Sequence, residues 1–228
     1  MNLIGVWQQN RFSNGAAQGL VGAYSNDGGA TWTRTTAPLS RCTGGNAGNG
    51  GDYARATDPW VTFAPNGTAY WMSLSISGAS FSAGSTNAML VARSIDGGQT
   101  WGNPTTLIRD GAAFFNDKNA ITADPIDANF AYAVWDRLGS NGGGPAMLAR
   151  TSDAGAAWEA ARAIFDPGAN AQTIGNVVAV VLAGAARGTV VNLYTRLTST
   201  GPSTCGRTHD SPAARSMRLR CRVRPMAA

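Results

Sequence analysis

The chain has 228 residues, of which 43% are hydrophobic, only 14% are charged and 29 are glycine. That length is enough for one sizeable all-β core. No run of about 18 apolar residues occurs, which excludes a membrane-spanning helix, and residues 1–7 lack the basic and apolar segments of a secretory signal. Lys and Arg total 18 against 13 Asp and Glu, but Arg207, Arg215, Arg218, Arg220, Arg222 and Arg224 all fall in residues 199–228 against the single Asp210. The rest of the chain is neutral, so nothing outside that tail would attract nucleic acid. Cys42, Cys205 and Cys221 are an odd set with neither a disulfide framework nor a zinc spacing.

In chain order, residues 3–10 and 17–25 read as two strands that open mid-pattern, as if something preceded them. They feed the loop Ser25-Asn26-Asp27-Gly28-Gly29-Ala30-Thr31-Trp32. A Gly/Asn-rich loop over 42–51 follows. A strand then starts at Asp58, and Pro65-Asn66-Gly67 makes a hairpin turn. Strands over 68–76 and 87–94 lead to a second loop, Ser94-Ile95-Asp96-Gly97-Gly98-Gln99-Thr100-Trp101. Strands over 117–121, 130–137 and 146–150 lead to a third, Thr151-Ser152-Asp153-Ala154-Gly155-Ala156-Ala157-Trp158. Strands over 176–182 and 189–196 begin a fourth cycle. The apolar residues alternate and do not recur at 3.6, so no helix of useful length is predicted.

The three loops share Ser/Thr-x-Asp-x-Gly-x-x-Trp, and each position has a physical task. The Asp carboxylate accepts hydrogen bonds from following N–H groups. The Gly takes a positive φ, and the Trp lays a large ring against a neighbouring sheet. Ser25, Asp27, Gly29, Trp32, Ser94, Asp96, Gly98, Trp101, Thr151, Asp153, Gly155 and Trp158 are therefore read as structural. The pattern resembles the Asp-box, or BNR repeat, of sialidases and related β-propellers.

That resemblance implies an all-β fold, a β-propeller of four-stranded antiparallel blades, of which residues 1–198 supply about half of a six-bladed ring. Blade breaks are expected near 40–57, 110–117 and 166–174. Half a ring leaves open sheet edges, so the chain reads as a fragment. A fourth loop is expected near Asp210, yet no Trp follows Trp158. Residues 199–228 are read as a basic, non-native or disordered tail, with an out-of-frame translation preferred. A basic arm and an arginine-faced edge strand are the alternatives.

In such a blade the loops lie at one mouth, and the other mouth collects the ends of second strands and the starts of first strands. That rim would gather Arg11, Arg55, Asp58, Asp117, Lys118, Asp136, Arg137 and Arg196 as substrate-binding candidates. Guanidinium groups bind carboxylates bidentately, and sialidases grip the sugar acid's carboxylate with three arginines. By that resemblance Arg11, Arg137 and Arg196 would hold the carboxylate. The bland alternative is that the arginines pair with Asp58, Asp117 and Asp136 to stitch blades together. Arg93 and Arg150, just ahead of loops, are read as structural. Elsewhere the family pattern is unmet. No Arg-Ile-Pro motif occurs, Asn10 and Asn14 stand where an acid is wanted, and the sole Glu, Glu159, lies just after the third loop at the wrong mouth, so that no Tyr has a Glu beside it.

The function implied is a sialidase-like glycoside hydrolase fragment for terminal sialic acid or a similar acidic sugar, inactive by itself. The alternative is a non-catalytic propeller that binds glycan or protein. No cofactor, metal, nucleic acid or membrane partner is expected.

Overall fold

The computed structural model describes residues 1–198 and the backbone of 201–210. It is all-β apart from one short 3₁₀ turn at Arg41–Thr43. Among the described residues fourteen strands run as four up-and-down meanders. The first contains β1 (Leu3–Arg11), β2 (Ala17–Ser25) and β3 (Thr33–Thr35). The second contains β4 (Arg55–Phe63), β5 (Ala69–Ser77), β6 (Thr86–Ser94) and β7 (Thr105–Asp110). The third contains β8 (Phe114–Ala123), β9 (Ala131–Gly139), β10 (Ala146–Thr151) and β11 (Arg162–Phe165). The fourth contains β12 (Ala171–Val180), β13 (Val190–Thr198) and β14 (Gly201–Asp210). All strand pairs within them are antiparallel, and the first two meanders join through the single pair Ala17↔Ala56.

Strand β14 lies within the segment read from sequence as a tail and pairs with β13 from Val190↔Asp210 to Thr198↔Gly201. Residues 199–200 and 211–228 lie outside the described residues, and so do most of the basic tail and the residues that would complete a loop near Asp210. Among the described residues no helix is long and apolar enough to cross a membrane.

Alternation along the central strands of the second and third meanders buries both of their faces. On β5, Tyr70, Met72 and Leu74 face the third meander, while Trp71 faces the first. On β9, Trp135 and Ala133 turn back to the second meander, and Tyr132 and Val134 turn to the fourth. Three apolar cores thus fill the three spaces between successive sheets. Trp71 and Trp135 are fully buried, one in each of the first two spaces.

The three repeated loops occupy equivalent corners, joining β2 to β3, β6 to β7 and β10 to β11. Their internal hydrogen bonds are nearly superposable. The first-position hydroxyl donates to the Asp Oδ1 at 2.7 Å from Ser25, 2.7 Å from Ser94 and 2.8 Å from Thr151. The same hydroxyl oxygen accepts from the N–H of Gly29 at 2.8 Å, of Gly98 at 2.8 Å and of Gly155 at 2.9 Å. Those glycines have φ of 98°, 90° and 82°, the left-handed region that a side chain resists. The Asp carboxylate accepts from the N–H of Thr31, Thr100 and Ala157. Hydrogen bonds within the loop, from the Thr31 side chain above all, hold the Asp27 carboxyl well below the usual carboxylate range, and the Ala157 N–H lowers that of Asp153. Trp158 meets Tyr70 of the preceding meander edge-on at 6.2 Å, and Trp101 donates its ring N–H to Thr35 of the meander before it at 3.0 Å. Trp32 is half exposed and donates only to Gly29 O of its own loop.

Candidate functional site

The opposite ends of the sheets repeat a second feature. The first strands of the second, third and fourth meanders are each bulged against their partners: between Thr57 and Trp60, between Asp117 and Ala120, and between Ile174 and Val177. In each bulge one residue is left-handed, Asp58 at φ 50°, Lys118 at φ 49° and Gly175 at φ 67°. A bulge re-aims the side chain that follows or occupies it. For Asp58 and Lys118 the left-handed backbone costs about 1–2 kcal/mol each, a cost that glycine at the third bulge avoids.

The first two of these bulges open onto a cleft of about 550 Å³ between the second and third meanders. Arg55, Thr57 and Asp58 of β4, Phe115, Asp117 and Lys118 of β8, and the turns after β1 and β5 line it. The Lys118 ammonium sits between two carboxylates, 3.2 Å from Asp117 Oδ1 and 3.6 Å from Asp58 Oδ2. One ammonium thus draws a carboxylate from β4 and one from β8 to the same point of the cleft. Burial, reinforced by the Asp58 charge, raises the Asp117 carboxyl above its ordinary value against the pull of Lys118. Burial works against the Lys118 charge too, but the two carboxylates outweigh it and its pKa is raised. Asp58 Oδ2 is buried without a hydrogen-bond partner beyond that ion pair.

Arg55 is fixed by the turn after β1. Its Nη1 donates to Asn14 Oδ1 at 2.7 Å and to Gly15 O at 3.0 Å, and its guanidinium lies 3.9 Å from the Phe12 ring centre. One nitrogen is thus occupied and the fork remains able to donate from the others. Directly behind Asp117 in register is Asp136 on β9. It is buried and accepts from Thr173 Oγ1 at 2.7 Å, from Gly175 N at 3.2 Å and from Asn176 Nδ2. It ties the third meander to the fourth at its bulge. Burial pushes its carboxyl up to about 7, partly offset by the Thr173 hydrogen bond.

Of the residues singled out from sequence, the fold therefore brings Arg55, Asp58, Asp117 and Lys118 into one cleft and sets Asp136 behind them. The other three arginines stand apart from its lining. Arg11 ends β1 exposed. Arg137 is held by Asp110 at 2.7 and 2.9 Å and lies 3.7 Å from the Phe114 ring centre. Arg196 donates twice to the carbonyl of Pro167, at 2.7 and 3.1 Å. Of the expected acid partners for these arginines, none of Asp58, Asp117 or Asp136 is used; Arg137 takes Asp110. Asn119, Asn116 and Asn176 were not foreseen. Asn119 donates to Asp58 O at 2.9 Å across the meanders. Asn116 donates to Asp110 and accepts from the Trp135 ring N–H at 2.8 Å. An Asn within two residues of each of the later bulges (Asn116 and Asn119, Asn176) was the available signal. Among the described residues no group of three acidic, His or Cys side chains could hold a metal ion.

Comparison with solved structures gives a fold neighbourhood. A Hadza microbial sialidase superposes at TM-score 0.65 with 17% identity, over 94% of this chain and 43% of that one. A Penicillium chrysogenum alpha-L-arabinanase complexed with arabinobiose gives 0.60 and 17%, over 91% and 57%. A leech intramolecular trans-sialidase gives 0.51 and 18%, over 92% and 29%. The likeness is one of fold. The chain is all-β and antiparallel in the manner of these carbohydrate-acting enzymes, and it spans only about half the length of such structures or less. No family model matches the chain, and no curated protein matches it in sequence.

Proposed function

We propose that the four meanders are successive blades of a sialidase-like, Asp-box β-propeller of the glycoside hydrolase type, about half of a six-bladed ring. Its blade breaks are those expected near 40–57, 110–117 and 166–174, which overlap the connections between strands at 36–54, 111–113 and 166–170. The rim cleft is its sugar site, and the sugar is terminal sialic acid or a similar acidic residue. Arg55 and Lys118 receive the carboxylate, while Asp58 and Asp117 accept from the ring hydroxyls. Arg11, Arg137 and Arg196 are second to them here, because Arg137 and Arg196 already spend their forks inside the protein.

The observation that carries this reading is the pair of strained bulge residues. The fourth meander builds the same bulge with glycine, so Asp58 and Lys118 are not needed for the bend. Strain kept where glycine would serve points to chemistry at the side chain. The neighbouring folds supply the carbohydrate context.

Hydrolysis asks for more than a carboxylate pair. Lys118 bridges that pair and offsets one of its two charges, and Tyr53, Tyr70 and Tyr132 are buried with no Glu beside them. Recognition without turnover is therefore what this chain performs alone. Calorimetric titration with N-acetylneuraminate tests it. Saturable binding that Arg55→Ala and Lys118→Met each weaken at least about tenfold is expected, as for the loss of a charged partner. Equal affinity for a neutral hexose would refute the acidic-sugar assignment. Turnover of a fluorogenic sialoside is expected to be undetectable.

A further inference from the structure

The loop end of the sheets holds a second cleft, of about 530 Å³, between the second and third repeated loops. Trp101 and Trp158 line it, and Arg93 is its one charged lining residue. Arg93 stands immediately before the second loop as Arg150 stands before the third. In both copies the carbonyl of that arginine accepts from the residue after the loop Trp, Gly102 at 2.9 Å and Glu159 at 2.8 Å. The copies then diverge. Glu159 also turns its carboxylate onto Arg150 Nε at 2.8 Å. Gly102 has no side chain to offer.

The consequence is an unpaired cation. Among the described residues the Arg93 side chain has neither a hydrogen bond nor an ion pair, and its Nε is buried without a partner. The hydroxyl of Tyr70, whose pKa burial raises, is fully buried and equally unpartnered. Tyr70 packs beneath the third loop, where a Cβ on Gly155 would come 2.7 Å from its ring. Buried donors without partners cost free energy that a bound acceptor recovers. A guanidinium fork accepts a carboxylate in two parallel hydrogen bonds. The two indoles add flat apolar surface of the sort that a pyranose ring covers with its C–H face.

We infer that this cleft is a second binding site, for a carboxylate-bearing sugar unit such as a uronate, whose acid group takes the place on Arg93 that Glu159 takes on Arg150. It lies at the opposite end of the sheets from the rim cleft and shares no residue with it. Its occupant would let the protein hold an acidic glycan chain independently of the rim.

The test uses indole N–H resonances of the full chain titrated with methyl glucuronide, methyl glucoside and a tri-glutamate peptide. The glucuronide is expected to shift the Trp101 and Trp158 signals saturably, and the glucoside and the peptide are not. Gly102→Glu rebuilds the internal partner. A Cβ there meets only the Arg93 carbonyl oxygen, at 3.6 Å, so the variant folds. It and Arg93→Ala should each cut glucuronide affinity at least about tenfold, while Arg55→Ala at the rim leaves it unchanged. Undiminished binding by Gly102→Glu, equal response to the glucoside, tighter binding of the peptide, or no response at all would each overturn the inference. None of these outcomes alters the rim titration with its own variants.

Discussion

The two ends of the sheets use aspartates in opposite ways. At the loop end, Asp27, Asp96 and Asp153 accept hydrogen bonds from their own loops, and their carboxyls are held below the ordinary value. At the rim, Asp117 and Asp136 are pressed into low dielectric and their carboxyls are raised, chiefly by burial. One end repeats the same residues to make the same bend. The other repeats a bend and changes the residue, from Asp58 to Lys118 to Gly175. Repetition of side chains therefore goes with scaffold, and repetition of backbone with varied side chains goes with the proposed site.

The largest expected effect follows from that contrast in charge. A rim carboxyl with a raised folded pKa holds its proton more tightly folded than unfolded. Its contribution to stability is full below the unfolded value and is lost as pH rises through the folded one. For Asp136 the window runs from the ordinary 3.8 to about 7, and the loss is at most about 4 kcal/mol. The loop carboxyls do the reverse, stabilising above the ordinary carboxylate value and losing that contribution as pH falls below it. Melting temperature should thus fall between pH 4 and pH 7, and Asp136→Asn should flatten that limb while leaving the acid limb intact. An unchanged slope in the variant would remove Asp136 from its place as the raised group.

The three loops offer the next comparison. Trp158→Ala should cost about 3 kcal/mol, because its ring covers Tyr70 of the preceding sheet. Trp32→Ala should cost less than about 1 kcal/mol, because that ring is half exposed. Urea denaturation of both variants checks the difference, and equal losses would show that loop tryptophans act within their own loop. A smaller effect separates two glycines. Gly155→Ala combines φ of 82° with a 2.7 Å approach to Tyr70, and should cost about 2 kcal/mol or more. Gly28→Ala has φ of 75° and open space, and should cost about 1 kcal/mol.

The sequence made the loop end legible because Ser/Thr, Asp, Gly and Trp each have one job there and recur together. Strand limits such as Ala17–Ser25 and the antiparallel all-β class followed from alternation between those loops. The short strands after the first and third loops, β3 and β11, were not separately legible, since Thr33–Thr35 and Arg162–Phe165 are too brief to alternate. At the rim, Asp58, Asp117 and Lys118 could be picked out as strand-start charges, but the bulges that aim them could not. No residue type is common to the three bends. Arg137 and Arg196 were misjudged as open forks for a different reason. Their partners are Asp110, which is 27 residues away, and a main-chain carbonyl at Pro167. Neither contact leaves a trace in local spacing.

The rim reading is tested most directly at Lys118, the side chain that pays for a glycine-like backbone. Lys118→Gly gives the third meander the bulge residue that the fourth already has in Gly175. Calorimetric titration with N-acetylneuraminate, paired with a melting curve, reads both halves of the idea. Affinity should fall at least about tenfold, with stability changed by no more than about 1 kcal/mol as backbone relief offsets the exposed ion pairs. Retained affinity, or a chain that no longer folds, would contradict it.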